Sequence, residues 1–141
     1  MQISSRFTVA VHTLLVIHTF KDQKTTSDFI AASVQVNPVI IRRTLLSLKA
    51  AGMVEVKAGS GGASIVRDLS DITLYDVYRA VECVDGDLFR FHENPNPACP
   101  VGRNIHAVLD CHLADAQRAM ENELKKVTLL DITRELQTKL N

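Results

Sequence analysis

The chain has 141 residues, 46% of them apolar and 23% charged, with three cysteines and a formal net charge of zero. That composition suits one compact domain, or a small domain with an appendage, and excludes a disordered chain or a disulfide-stapled secreted scaffold. The longest apolar stretch, Val9 to Ile17, is broken by His12 and Thr13 and is too short to cross a bilayer, and the N-terminus lacks a secretory pattern, so a cytoplasmic location with no membrane partner is expected.

Charge is unevenly placed. Residues 1–67 carry eight Lys and Arg against three Asp and Glu, a net of +5, whereas residues 68–141 carry eight against thirteen, a net of −5. A basic half joined to an acidic half implies that one segment meets a polyphosphate and the other does not.

In chain order, Ser4 and Ser5 are positioned to cap a helix to about Phe20, with Phe7, Ala10, Val11, Leu14, Leu15 and Ile17 on its core face. A polar connector follows, and Thr26 or Ser27 caps a short helix ending near Val34. Asn37 is a preferred N-cap, Pro38 stands at the first helical position, and Gly52 supplies a left-handed stop. The helix between them buries Ile41, Leu45 and Leu48. Two helices joined by so short a turn form a helix-turn-helix.

Val54 to Lys57 alternates as a half-buried strand, and Ala63 to Val66 is its partner across the glycine-rich Gly59-Ser60-Gly61-Gly62. A hairpin directly after a recognition-type helix is a wing. Thr73 and Asp76 form a capping-box-like pair that opens a helix with Leu74, Val77 and Val81 on one face. The stretch from Asp85 to Pro100 reads as a loop. Beyond Pro100 a long helix runs to about Val127, with Ile105, Leu109, Leu113, Ala116, Met120 and Leu124 spaced by threes and fours. Such a helix is too long to be covered by its own small domain, so it is expected to pair with the same helix of a second chain. Thr128 and Asp131 punctuate a short final helix.

These elements give an α+β, mostly α, fold: a winged helix-turn-helix with a long C-terminal dimerisation helix. The expected division is a DNA-binding domain over 1–82, a connecting loop over 83–100, and the dimerisation and terminal helices over 101–141.

Opposite its buried stripe the second helix of the motif presents Val39, Arg43 and Ser47, with Arg42 at one edge. Side chains near the start of such a helix reach base edges in the major groove, where arginine binds guanine in a bidentate way. Asn37 and the first-turn amides suit a phosphate, and Ser5, Arg6, Thr26 and Ser27 lie at two further helix starts. The wing offers Ser60, Gly61 and Gly62 at its tip, with Lys57 and Arg67 on its stems. The partner expected from this constellation is double-stranded DNA.

The runs Asn37-Pro38-Val39-Ile40-Ile41-Arg42-Arg43, Leu48-Lys49-Ala50-Ala51-Gly52-Met53-Val54 and Gly59-Ser60-Gly61-Gly62-Ala63 resemble the Rrf2 family of bacterial winged-helix regulators. The opening Ile3-Ser4-Ser5-Arg6-Phe7 and the run Asn96-Pro97-Ala98-Cys99-Pro100-Val101-Gly102 resemble one branch of it. The resemblance implies a homodimeric repressor on a palindromic operator. It also implies a possible iron–sulfur cluster on three closely spaced cysteines. Here Cys99 and Cys111 lie in that segment, Ile105 occupies the middle position and cannot be a ligand, and Cys83 is far back. This places the chain nearer the cluster-free branch, with no cofactor expected, although His106 beside Ile105 keeps a cluster-dependent regulator open as an alternative.

Cys99 is the candidate sensor thiol. With Pro100 at the first helical position it falls at the N-cap, where the helix dipole favours a thiolate open to electrophiles or oxidants. Cys83 and Cys111 sit among apolar helical positions. Histidines 92, 106 and 112 fall in no recognised ligand spacing, so no metal is expected. No Gly-Lys-Ser/Thr follows the glycines and no strand-to-helix elbow carries a nucleophile, so the chain is not expected to be an enzyme. A winged-helix module that binds protein through its acidic half is the other alternative.

Overall fold

The computed structural model describes residues 5–59, 61–82, 88, 89 and 92–141. It contains α1 (Arg6–Thr19), α2 (Ser27–Val34), α3 (Pro38–Ala50), β1 (Val54–Val56), β2 (Ala63–Ile65), a 3₁₀ turn over Leu69–Asp71, α4 (Leu74–Glu82), α5 (Pro100–Lys125) and α6 (Leu129–Leu140). The strands pair antiparallel with Val54 opposite Ile65 and Val56 opposite Ala63. Ser4, Ser60 and Cys83 lie outside the described residues.

The core is built where the apolar faces of α1 to α4 meet: Ala10, Leu14, Val16 and Ile17 close on Ile30, Ile41, Leu45, Leu48, Val77 and Val81. Asn37 caps α3 by accepting the Val39 N–H at 2.9 Å, and Gly52 ends it at φ +76. Thr26 caps α2 from the Phe29 N–H at 3.2 Å. The Thr73–Asp76 pair closes as a reciprocal capping box, each partner accepting the other's backbone N–H at 3.0 Å. Thr128 and Asp131 do the same for α6.

Two expectations are corrected. Ser5 occupies the N-cap of α1 without capping it, because its backbone is already helical (φ −65, ψ −8) and the side chain makes no cap bond. The wing strand is not half-buried along its length. Val54 is 2% exposed but Val56, on the same face, is 41% exposed, because at this level of the hairpin only its partner Ala63 stays packed against the core.

The C-terminal end is sewn into the winged-helix core. Leu74 N–H donates to the Val127 carbonyl at 2.9 Å and Leu129 N–H to the Ile72 carbonyl at 2.7 Å, bracketing a Thr73–Thr128 bridge. Leu129 is fully buried in the same cluster as Leu14 and Val77. Beside it, α6 lays Ile132, Leu136 and Leu140 across from Phe7, Val11 and Leu15 of α1, leaving an open apolar groove of about 550 Å³.

No residue of the 26-residue α5 is buried. At its C-terminal end Lys125 lies 4.6 Å over the Tyr75 ring. Further out it meets the segment before it: Leu88 N–H donates to Gln117 Oε1 at 2.9 Å, and His92 stacks on His106 with centroids 6.0 Å apart. Of the expected dimerisation stripe, Ile105, Leu113, Met120 and Leu124 are half-buried while Leu109 and Ala116 are exposed. Val101 and Val108, absent from that stripe, are the most exposed large apolar residues of the helix at 70% and 61%.

Candidate nucleic-acid interface

Burial of Ile41, Thr44, Leu45 and Leu48 fixes how α3 is rotated, and its opposite face is therefore set. Val39, Arg42 and Arg43 are exposed on its first two turns, and Ser47 is half-buried at the edge. No ion pair among the described residues engages Arg42 or Arg43. Sequence reasoning missed Ile40 and Leu46, which are 41% and 67% exposed. Leu46 follows Arg43 by three and Val39 by seven, so helical spacing alone puts it on their face. Its apolar character had directed attention to the core instead.

Entry to α3 is set by Gln35, which adopts the left-handed region at φ 60, ψ 51 and bonds its N–H to the Ala31 carbonyl at 2.7 Å. This non-glycine turn ends α2 and aims Asn37 and the first turn of α3 outward.

The wing neck stands beside the start of α2. Thr26, Ser27, Lys57, Gly59 and Gly62 line one small notch, so a helix N-terminus and a basic side chain share it. Lys57 is exposed. Gly61 and Gly62, expected at the tip, are held by close approaches nearer the neck. A Cβ on Gly61 would lie 2.3 Å from the Lys57 Cβ, and one on Gly62 would lie 2.9 Å from the Thr25 nitrogen. Arg67 turns away from the wing, donating to the Asp71 carbonyl at 2.9 Å with Asp76 Oδ2 at 3.7 Å. Arg6 is exposed at the start of α1.

Cys99 is the N-cap residue of α5, in extended conformation, with Pro100 at the first helical position. It is exposed. The backbone N–H groups of Gly102 and then Val101 face its sulfur and hold the thiol below the ordinary cysteine range. Gly102 has no room for a side chain, since a Cβ there would lie 2.6 Å from the Asn96 carbonyl oxygen. Asn96 also receives the Cys99 N–H at 3.2 Å, which locks the turn that presents the thiol.

A short-turn helix pair with a capped, outward-facing second helix and an adjacent hairpin defines a winged helix-turn-helix DNA-binding protein. The Rrf2 family, described as iron-dependent transcriptional regulators, matches residues 3–135, and the chain belongs to that family. It is 48% identical over 134 residues to YwnA of Bacillus subtilis (strain 168), which carries the name of an HTH-type transcriptional regulator, covering 95% of this chain and 98% of that one. A transcriptional regulator from Lactobacillus plantarum superimposes with a TM-score of 0.82 at 27% identity, over 96% of this chain and 91% of that one. CymR, the global cysteine regulator of B. subtilis, shares the fold with a TM-score of 0.67 at 18% identity, over 95% and 97% of the two chains. The chain is thus a DNA-binding transcriptional regulator, not an enzyme.

The family description raises iron. Cys99 and Cys111 are twelve residues apart along α5, about 18 Å at helical rise, too far to share one cluster within the chain. Ile105 lies between them, and His106 is hydrogen-bonded to Asp110 at 3.2 Å. Among the described residues no three His, Cys, Asp or Glu side chains are grouped to hold a metal. Within one chain, Cys99 and Cys111 are thus not brought together as ligands of a single cluster. No described helix is long and apolar enough to cross a membrane.

Proposed function

We propose that the chain is a homodimeric repressor that reads a palindromic operator through α3 and responds to modification of Cys99, without a cofactor. The observation that carries the DNA-reading part is the face of α3, where Val39, Arg42, Arg43 and Leu46 stand exposed behind a capped N-terminus. The arginines read guanine edges, Val39 and Leu46 meet thymine methyl groups, and Asn37, Thr26, Ser27 and Lys57 face phosphates with the described glycines of the wing, Gly61 and Gly62, bringing backbone close. Ser5 and Arg6 add backbone contacts from the start of α1. Arg67, engaged with Asp71 and Asp76, supports the stem rather than the DNA.

Two copies would cover the apolar surface each leaves open, the Val101–Val108–Leu109 side of α5 and the groove between α1 and α6. Paired α5 helices then set the distance between recognition helices, as a two-fold operator requires. Cys99 sits where it feels that arrangement, at the foot of α5. A quinone adds there by forming a bond between its ring carbon and the thiolate sulfur, and the ring takes up a proton to become a hydroquinone thioether. The bulk displaces the start of α5 and misaligns the two recognition helices.

The test is fluorescence anisotropy on DNA from upstream of the protein's own gene, with wild type and Cys99→Ser, reduced and after quinone treatment. Tight, salt-sensitive binding that quinone abolishes only in wild type is expected. Binding untouched by quinone removes the sensor and keeps the regulator. Binding insensitive to salt favours a protein-docking module instead.

A further inference from the structure

The connector before α2 contains a residue that lies off the DNA-reading face and is bonded to the wing. Thr25 is 1% exposed, although it lies outside any helix or strand. Its Oγ1 donates to the Ala63 carbonyl at 2.7 Å, and its own carbonyl accepts the Ala63 N–H at 3.0 Å. Two reciprocal bonds therefore join positions 38 residues apart. On the same spot Gly62, at φ +79, leaves no room for a Cβ, which would lie 2.9 Å from the Thr25 nitrogen, and the Lys57 N–H closes the hairpin neck on the Gly62 carbonyl at 3.0 Å.

We propose that Thr25 is the positioning residue for the wing, setting the angle at which the hairpin meets DNA relative to α3. This rests on the DNA-reading function above and deepens it. Two strands of three residues each do not hold an orientation by themselves. Val54 alone of their residues is fully buried and Ala63 and Ile65 are only half-buried against the core, so packing anchors the inner end of the hairpin more firmly than the rest. The latch supplies the second anchor. Because Thr25 leads directly into the cap of α2, and α2 packs on α3, the wing is registered to the recognition helix through two bonded contacts. Lys57 and Gly59 are thereby held in the notch with Thr26 and Ser27. Thr25 touches no DNA in this scheme; it acts through Lys57.

The experiment uses a duplex selected by the wild type from a random-sequence pool, with an unselected duplex alongside. Thr25→Val, Thr25→Ser and Gly62→Ala are each made alone and with Lys57→Ala. Affinity is measured across a salt series, and thermal unfolding is followed in parallel. Thr25→Val is expected to weaken the selected duplex about tenfold and to flatten the salt dependence by about one phosphate contact. Lys57→Ala should weaken the wild type yet add nothing in the Thr25→Val background, while Thr25→Ser restores both. Gly62→Ala, which pushes on the latch from the other side, should reproduce the loss and serves if Thr25→Val does not fold. A Lys57→Ala effect equal in both backgrounds, including none in either, overturns the proposal even if Thr25→Val melts at lower temperature. Wild type that selects no duplex overturns the DNA-reading function itself, an outcome visible before any variant is made.

Discussion

Asn37 begins α3 with a single bond, its Oδ1 accepting the Val39 N–H, while the buried stripe behind it aims the arginines that follow. Asn37→Ala is expected to cost about 1 kcal/mol of stability, within the usual range for lost caps, as a lower urea midpoint with unchanged slope. Gln35 has the opposite sign. An L-residue in the left-handed region is strained, so Gln35→Gly should relieve up to about 1 kcal/mol and raise the melting temperature by about 2–4 °C. Arg43→Ala should lower operator affinity by about 1–3 kcal/mol while leaving random-sequence DNA nearly unaffected; equal losses on both would assign Arg43 to phosphate. At Cys99 the facing Gly102 and Val101 amides stabilise the thiolate, so the thiol gives up its proton at lower pH than an ordinary cysteine. The pH dependence of its alkylation by iodoacetamide should therefore have its midpoint below that of a cysteine model peptide, and a midpoint at or above the peptide's would remove the chemical basis for sensing.

At the level of elements, local signals carried far. Asn37, Pro38 and Gly52 bounded α3, Thr73 and Asp76 opened α4, and Thr128 and Asp131 opened α6, because caps are written in residues three or four apart. What sequence did not reveal depends on contacts between distant segments. Alternation in β1 tells which way Val56 points but not that the core has ended beneath it. Gly61 and Gly62 read as a free turn, whereas their neighbours Lys57 and Thr25 forbid a side chain at each. In the interface, the arginines were visible from the helix start, yet Leu46 was hidden by its own hydrophobicity. The heptad spacing of α5 identified a stripe without telling that part of it would be covered from within the chain. Leu129 is a case of the same kind, a C-terminal residue completing an N-terminal core. Leu129→Ala is expected to destabilise the whole winged helix by about 2–5 kcal/mol in a single cooperative urea transition; a separate early transition confined to α6 would contradict its place in the core.

For the whole molecule, the open apolar surfaces of α5 and of the α1–α6 groove are what a second copy would cover. Val101→Glu combined with Val108→Glu should yield a monomer by sedimentation and lose affinity for a palindromic duplex far more than for a half-site, since a carboxylate cannot be desolvated unpaired at such an interface. A wild type that sediments as a monomer would sink the dimer outright. The bond between Leu74 and Val127 has a consequence of another order. The chain leaves the winged helix at the far end of α4 and is received back at its foot, so this one short helix is the doorway for both the entrance and the exit of the excursion between. Lengthening or trimming that excursion by whole helical turns leaves the doorway intact and asks nothing of the DNA-reading half. Were two copies paired through this arm as proposed, its reach, and with it the spacing of the sites they span, could change without re-evolving the part that reads them.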